Sequence, residues 1–304
     1  MKDIIFLVGP TAVGKTETSI HLAKKINAEI ISCDSMQVYK GMDIGTQKPT
    51  PAQLKKVPHH IVDIINPARN FSVALYRKKA IDEIKKIHRK KKVPLFVGGT
   101  ALYMKAMVDG LFPAPSADRA LRKRLLRQEE CKGKGFLYKR LLKVDKQTAK
   151  LLHPNDTRRI IRALEVYIQT KKPMHELKKR TKGLKDLYNI KIFCLSCARE
   201  KLYEKINRRV DMMFKKGLVA ECRRLKQRRL SMTAKQALGY KEVFDFLDKK
   251  TVLKDAKELI KQRTRNFAKR QLSWFRNDKR IIWIDSNNGP SKEIAERLYK
   301  LCMK

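Results

Sequence analysis

Close to its start the chain runs from an apolar stretch, Ile4-Ile5-Phe6-Leu7-Val8, straight into Gly9-Pro10-Thr11-Ala12-Val13-Gly14-Lys15-Thr16. A helical pattern then continues from Lys15 to about residue 26. Strand, glycine loop and helix in that order confine the first part of the chain to an α/β arrangement. Gly9 and Gly14 permit the tight turn that aims successive backbone N–H groups at an anion, and the helix behind adds its positive end. Lys15 is spaced to hold a terminal phosphate oxygen, and Thr16 supplies the hydroxyl that such loops place on Mg2+. The pattern specifies phosphate or pyrophosphate, but kinases, hydrolases and other transferases share it, so the reaction must be read elsewhere.

A strand pattern over 29–33 completes a βαβ unit and implies a parallel sheet. Residues 60–64 read as a short strand, Ser72 as the cap of a helix over 73–89, and 93–97 as an apolar strand ending in Gly98-Gly99-Thr100 before a helix over 101–109. In doubly wound sheets ligands bind at the carboxyl ends of strands, which places the 9–16 loop, Asp34 and Thr100 in one crevice. From Pro113 the texture changes to basic helical patterns, and strand patterns return at 190–195 and 281–284. The expected fold is therefore α/β, a P-loop, nucleotide-kinase-like parallel sheet with helices on both faces. Residues 1–114 and 187–304 would form its core and 115–186 a basic helical insertion domain.

Charge narrows the partner. Lys and Arg number 72 against 30 Asp and Glu, a formal charge of +42, which points to a polyanion such as nucleic acid. No apolar run is long enough to span a membrane, and Met1 leads almost directly into the first strand, so a cytoplasmic location is expected. Cys194 and Cys197 form a CxxC without a second ligand pair, and read as buried thiols.

Asp34 follows the second strand, where a carboxylate faces the phosphate loop and is able to accept a proton or hold a metal; capping of Ser35-Met36 is the plainer role. Its context is DSMQVYKGMDIGTQKP, and further along stand VGGTALYMKAMVDG, PSAD, HPNDTRRIIRALEVY, QALGYKE and AKRQLSWFR. In this fixed order the segments resemble the tRNA dimethylallyltransferase family over nearly the whole chain. Eukaryotic relatives often append a zinc finger; this chain shows none of the required Cys and His spacing, and so resembles the short bacterial form.

The resemblance implies transfer of a dimethylallyl group from dimethylallyl diphosphate to N6 of the adenosine adjacent to the anticodon (position 37) of tRNA, with release of pyrophosphate. It implies Asp34 as the base, with Lys15, Thr100 and Arg209 as catalytic partners; Arg208, adjacent, leaves that last match open by one residue. The 9–16 loop would bind the donor diphosphate and Thr16 the Mg2+. Contacts to the tRNA anticodon stem-loop would come from Asp34, Ser35, Met36, Gln37, Thr100, Arg122, Arg158, Arg159, Ile160, Ile161 and Arg162. Later ones would come from Gln236, Ala237, Leu238, Gly239, Tyr240, Lys241, Lys269, Arg270, Gln271, Trp274 and Arg276. Gln37 has the groups to pair with an adenine edge, and Gly239 reads as a point of close backbone approach. Ile260, Phe267 and Trp274 are seven residues apart, so Trp274 also reads as core. A monomer is expected. Two rival readings share some of these features: a P-loop small-molecule kinase, which leaves the charge unexplained, and a non-catalytic RNA-binding protein, which leaves Asp34, Lys15 and Thr100 without work.

Overall fold

The computed structural model describes residues 2–179, 181–287 and 289–303. Six strands, β1 (Asp3–Val8), β2 (Ala28–Ser32), β3 (His59–His60), β4 (Val93–Gly98), β5 (Asn189–Ser196) and β6 (Ile281–Asp285), form one sheet in the order β3-β2-β4-β1-β5-β6. Every adjacent pair is parallel. Both faces are covered, as an all-parallel sheet requires. Ile5 and Leu7 of β1 join a core with Ile20 and Leu22 of the helix Lys15–Lys25 and with Ile294 and Leu298 of the helix Ser291–Cys302. The alternate residues of β1 point the other way, where Phe6 stacks on Phe96 with ring centroids 4.5 Å apart. Phe96 is fully buried, so truncation to Ala would cost about 3–5 kcal/mol.

The strand expected over 60–64 ends at His60. Ile61 and Asp63 take φ of 60° and 59°, left-handed values that turn the chain out of the ladder. The helix Val73–Arg89 begins at Ser72, whose hydroxyl accepts the Leu75 N–H. Cys194 is buried as expected, but Cys197 is partly exposed because β5 ends at Ser196.

The chain divides into two compact units, one comprising residues 1–108 and 187–304 and the other Asp109–Asp186, so the division falls ahead of the break expected at 114. Within the second unit, the helices Arg119–Lys132, Phe136–Val144 and Thr157–Thr170 bury Leu121, Leu125, Leu137, Leu141, Ile160 and Leu164 in a core of their own. Glu165 lies in this unit with 0% exposure and receives the Arg122 guanidinium at 2.9 and 2.8 Å, Arg162 at 2.5 Å and the Asp118 N–H at 2.8 Å. No helix among the described residues is long and apolar enough to cross a membrane.

Candidate active site

Because β2, β4 and β1 are neighbours in that order, the loops at their carboxyl ends are brought side by side. These are Asp34 after β2, Gly98-Gly99-Thr100 at the end of β4, and the 9–16 loop after β1. A cavity of about 740 Å³ lies here, lined by residues 11–17 of the loop, Asp34, Gln37, Gly98, Gly99, Arg209 and Gln271, with Asp43, Ile44, Gln47 and Lys48 on its wall.

The loop has no room for a side chain at its first position. Gly9 has φ of 144°, and a Cβ there would stand 2.7 Å from the Leu195 carbonyl oxygen. Lys15 turns its ammonium back to the Gly9 and Pro10 carbonyls, at 2.9 and 2.6 Å. Burial lowers its pKa to about 8, and the neighbouring Arg209 pushes the same way. Burial likewise lowers Arg209 to about 10, opposed by Asp34. Two cations partly withdrawn from water and near each other are each disfavoured, and an anion beside them relieves both. Of the two arginine candidates, Arg209 lines the cavity, whereas Arg208 is exposed and absent from its lining.

Asp34 takes the capping role and also faces the cavity. Its Oδ1 accepts the N–H groups of Met36 (2.8 Å) and Gln37 (3.3 Å), an Asx turn that fixes the carboxylate, while the residue lines the cavity. Oδ2 takes no hydrogen bond from the described residues. Thr100 does not line the cavity; its Oγ1 accepts the Ser35 N–H at 3.1 Å and so ties the loop after β2 to the helix Ala101–Val108. Gln37 is committed within the protein. Its Nε2 donates to the carbonyls of Thr46 (3.4 Å) and Gln47 (3.1 Å), and its Oε1 accepts the Ser32 hydroxyl at 3.1 Å. Both amide hydrogens expected to read an adenine edge are thereby used. Ser35 and Met36 beside it are partly exposed.

Thr16 lines the cavity, and the described residues contain no group of three His, Cys, Asp or Glu able to hold a metal by themselves. One hydroxyl with donor phosphate oxygens and water suits Mg2+, which keeps much of its hydration in phosphate sites.

The remaining expected tRNA residues sort by exposure. Arg158, Arg159, Gln236, Lys241, Lys269, Arg270 and Arg276 are exposed. Ile160, Ile161, Ala237 and Tyr240 have at most 8% exposure and belong to cores, so their side chains are not available as RNA contacts. Helical periodicity explains the first pair, since Ile160 and Ile161 are on the inner face of the helix whose outer face carries Arg158 and Arg159. Arg122 and Arg162 are bound to Glu165. Leu238 is half-buried. Gly239 is required by its φ of 92°, whereas an added Cβ would meet nothing closer than 3.7 Å, so close approach is not its reason. On the helix Leu253–Arg276 the buried stripe is Ala256, Ile260, Ala268, Gln271 and Phe275. Phe267 and Trp274 fall at its margin, with the Lys105 ammonium 5.7 Å from the Trp274 ring centroid. Gln271, expected on the RNA side, is instead buried between two loops; its Oε1 accepts the Thr11 N–H at 2.9 Å and its Nε2 donates to the Gly99 carbonyl at 2.8 Å. Glu221 carries no local sign in the sequence, being an acid in a basic helix whose carboxylate accepts the N–H groups of Asp43, Ile44 and Gly45, far away along the chain.

Comparison with known proteins places this site in a family. The model described as IPP transferase matches residues 37–278. The chain is 48% identical over 299 residues to the tRNA dimethylallyltransferase of Carboxydothermus hydrogenoformans, covering 98% of this chain and 96% of that one. It is 43% identical to the corresponding protein of Bacillus subtilis, with 97% and 95% covered. Among solved structures, the tRNA isopentenylpyrophosphate transferase of Bacillus halodurans matches with a TM-score of 0.74 and 39% identity, over 100% of this chain and 96% of that one. A eukaryotic dimethylallyltransferase acting on tRNA matches with a TM-score of 0.80 and 32% identity, over 95% and 75%. Matches of this extent, at these identities, establish that the chain belongs to the IPP transferase family.

Proposed function

We propose that this protein is a tRNA dimethylallyltransferase that moves a dimethylallyl group from dimethylallyl diphosphate to N6 of the adenosine adjacent to the tRNA anticodon. The observation that carries the reading is a cavity in which two half-buried cations, Lys15 and Arg209, face the same space as the fixed carboxylate of Asp34. The bond from the allylic carbon to the diphosphate oxygen breaks, N6 bonds to that carbon, and pyrophosphate leaves. Negative charge grows on the departing oxygen, where the N–H groups of the 9–16 loop, Lys15 and Arg209 would stabilise it. Adenine N6 is a weak nucleophile because its lone pair is delocalised into the ring. Asp34 would orient the amine and take its proton as the new bond forms, a contribution of about 10²–10⁴-fold in rate. Mg2+ held by Thr16 and the diphosphate would add further charge neutralisation. An anticodon-loop base is already partly unstacked, which lowers the cost of drawing it into a pocket.

The test is mass spectrometry of nucleosides from unmodified tRNA incubated with the protein, Mg2+ and dimethylallyl diphosphate. The expected product is an adenosine heavier by C5H8, absent without donor. Phosphate transfer from ATP with no prenylated adenosine would assign the loop to a kinase instead.

A further inference from the structure

Glu221 is 1% exposed, and its carboxylate accepts four hydrogen bonds. Oε2 takes the N–H groups of Asp43 (2.9 Å) and Ile44 (2.8 Å), while Oε1 takes the N–H of Gly45 (3.1 Å) and the Tyr240 hydroxyl (2.8 Å). Three successive N–H groups of one loop thus close on an anion supplied by the helix Leu218–Lys226, an arrangement of the nest type. The Tyr240 ring fills the space where Gly45 lacks a side chain; a Cβ at Gly45 would collide with it.

The residues that follow the nest carry its consequence toward the cavity. Thr46 and Gln47 present the two carbonyls that hold the Gln37 amide, and the Gln37 N–H rests on Asp34 Oδ1. Asp43, Ile44, Gln47 and Gln37 line the same cavity as Asp34. Hydrogen bonds at both ends of the short stretch 43–47, joined by its backbone, therefore link Glu221 to Gln37 and Asp34. The 9–16 loop has no part in it.

We infer that Glu221 is a positioning residue for the acceptor base: it fixes the 43–47 segment and, through that segment, the Gln37 side of the pocket beside Asp34. This inference rests on the proposed transfer to a tRNA adenosine. It separates the acceptor side of the cavity from the donor side, since a residue acting only on 43–47 leaves the diphosphate loop undisturbed.

Steady-state kinetics of Glu221→Gln test it, with tRNA and dimethylallyl diphosphate varied in turn. The swap replaces an acceptor by an amide group that repels the N–H donors, and KM for tRNA should rise about tenfold while the donor KM stays within about twofold of the parent value. Tyr240→Phe removes one donor and keeps the ring, so a smaller rise of about threefold in the same parameter is expected; it supplies the same reading should Glu221→Gln not fold. Combining Glu221→Gln with Gln37→Ala should be no worse than the larger single effect, because both act through one segment. Additive losses, or donor and tRNA KM rising together, would overturn the inference and make Glu221 a general stabiliser. Hydrogen exchange gives an answer independent of catalysis. Amides 43–47 should lose protection in Glu221→Gln with 9–16 unchanged, and unaltered protection at 43–47 would overturn the positioning role even for a protein that prenylates no tRNA.

Discussion

Lys15 and Asp34 occupy the same cavity but answer to different physics. Lys15 has its ammonium pinned to two carbonyls and its pKa lowered by burial to about 8, so near pH 8 a sizeable share of the free protein carries it neutral. A diphosphate beside it favours the charged form, which raises the pKa on binding. The sign follows: above about pH 8 donor binding must draw in a proton, and affinity falls as pH rises. Calorimetry of a non-reactive diphosphate in two buffers of different ionisation enthalpy should show that uptake, and Lys15→Met should abolish it. Equal heats in both buffers would mean that Lys15 stays charged throughout. In the proposed reaction Asp34 would act on the transition state, its Oδ1 already fixed by two N–H groups. Asp34→Asn keeps an oxygen for the Met36 and Gln37 N–H groups but loses the base, so it should lower kcat at least about 10²-fold with tRNA affinity nearly unchanged, and a matching loss of affinity would make Asp34 a binding residue.

At the scale of elements, the helix Leu253–Arg276 does two jobs with two faces. Lys269 and Arg270 are exposed, while Gln271, next in sequence, is turned inward and joins the loop after β1 to the loop after β4. Gln271→Ala removes both bonds and frees the Thr11 segment of the diphosphate loop. Donor KM should therefore rise about tenfold with the tRNA Kd unchanged, which separate titrations of each substrate would read. A weakened tRNA Kd alone would return Gln271 to the RNA-contacting set. The same helix shows what could be read in advance. Strands β1, β2, β4, β5 and β6 and the phosphate loop were legible because apolar runs and glycines are local signals. Lys15, Thr16 and Asp34 were legible because a strand end fixes their place. Gln271 and Glu221 were not, because their partners are 260, 172 and 176–178 residues away in sequence, and only the assembled sheet makes them neighbours. The side chains of Ile160, Ile161, Ala237 and Tyr240 are buried where RNA contacts are expected, for a related reason. A motif names a stretch of chain, whereas the helix turns only some of its side chains outward.

For the whole molecule the governing quantity is the formal charge of +42, and the structure divides the cations that produce it into those already spent and those exposed. Arg122 and Arg162 belong to the first class, since Glu165 is fully buried and needs their guanidinium groups; removing either leaves a buried carboxylate short of a partner. Arg158 and Arg159 belong to the second. They stand on the outer face of the first turn of the helix Thr157–Thr170, Arg159 is 69% exposed, and its link to Asp156 is a 3.4 Å surface pair of small value. Phosphate neutralisation releases counterions, and each contact adds about 0.7–0.9 to the slope of log affinity against log salt. Replacing Arg158 and Arg159 by Ala should therefore flatten the slope for tRNA by about 1.5 units while leaving thermal stability close to the parent value. Arg122→Ala should do the reverse, lowering Tm with little change in slope. Affinity measured from about 50 to about 200 mM salt distinguishes them: the deficit of the double variant should shrink roughly tenfold across that range. An unaltered slope would place Arg158 and Arg159 away from the phosphates, and the charge that draws the polyanion would then have to lie on other faces of the protein.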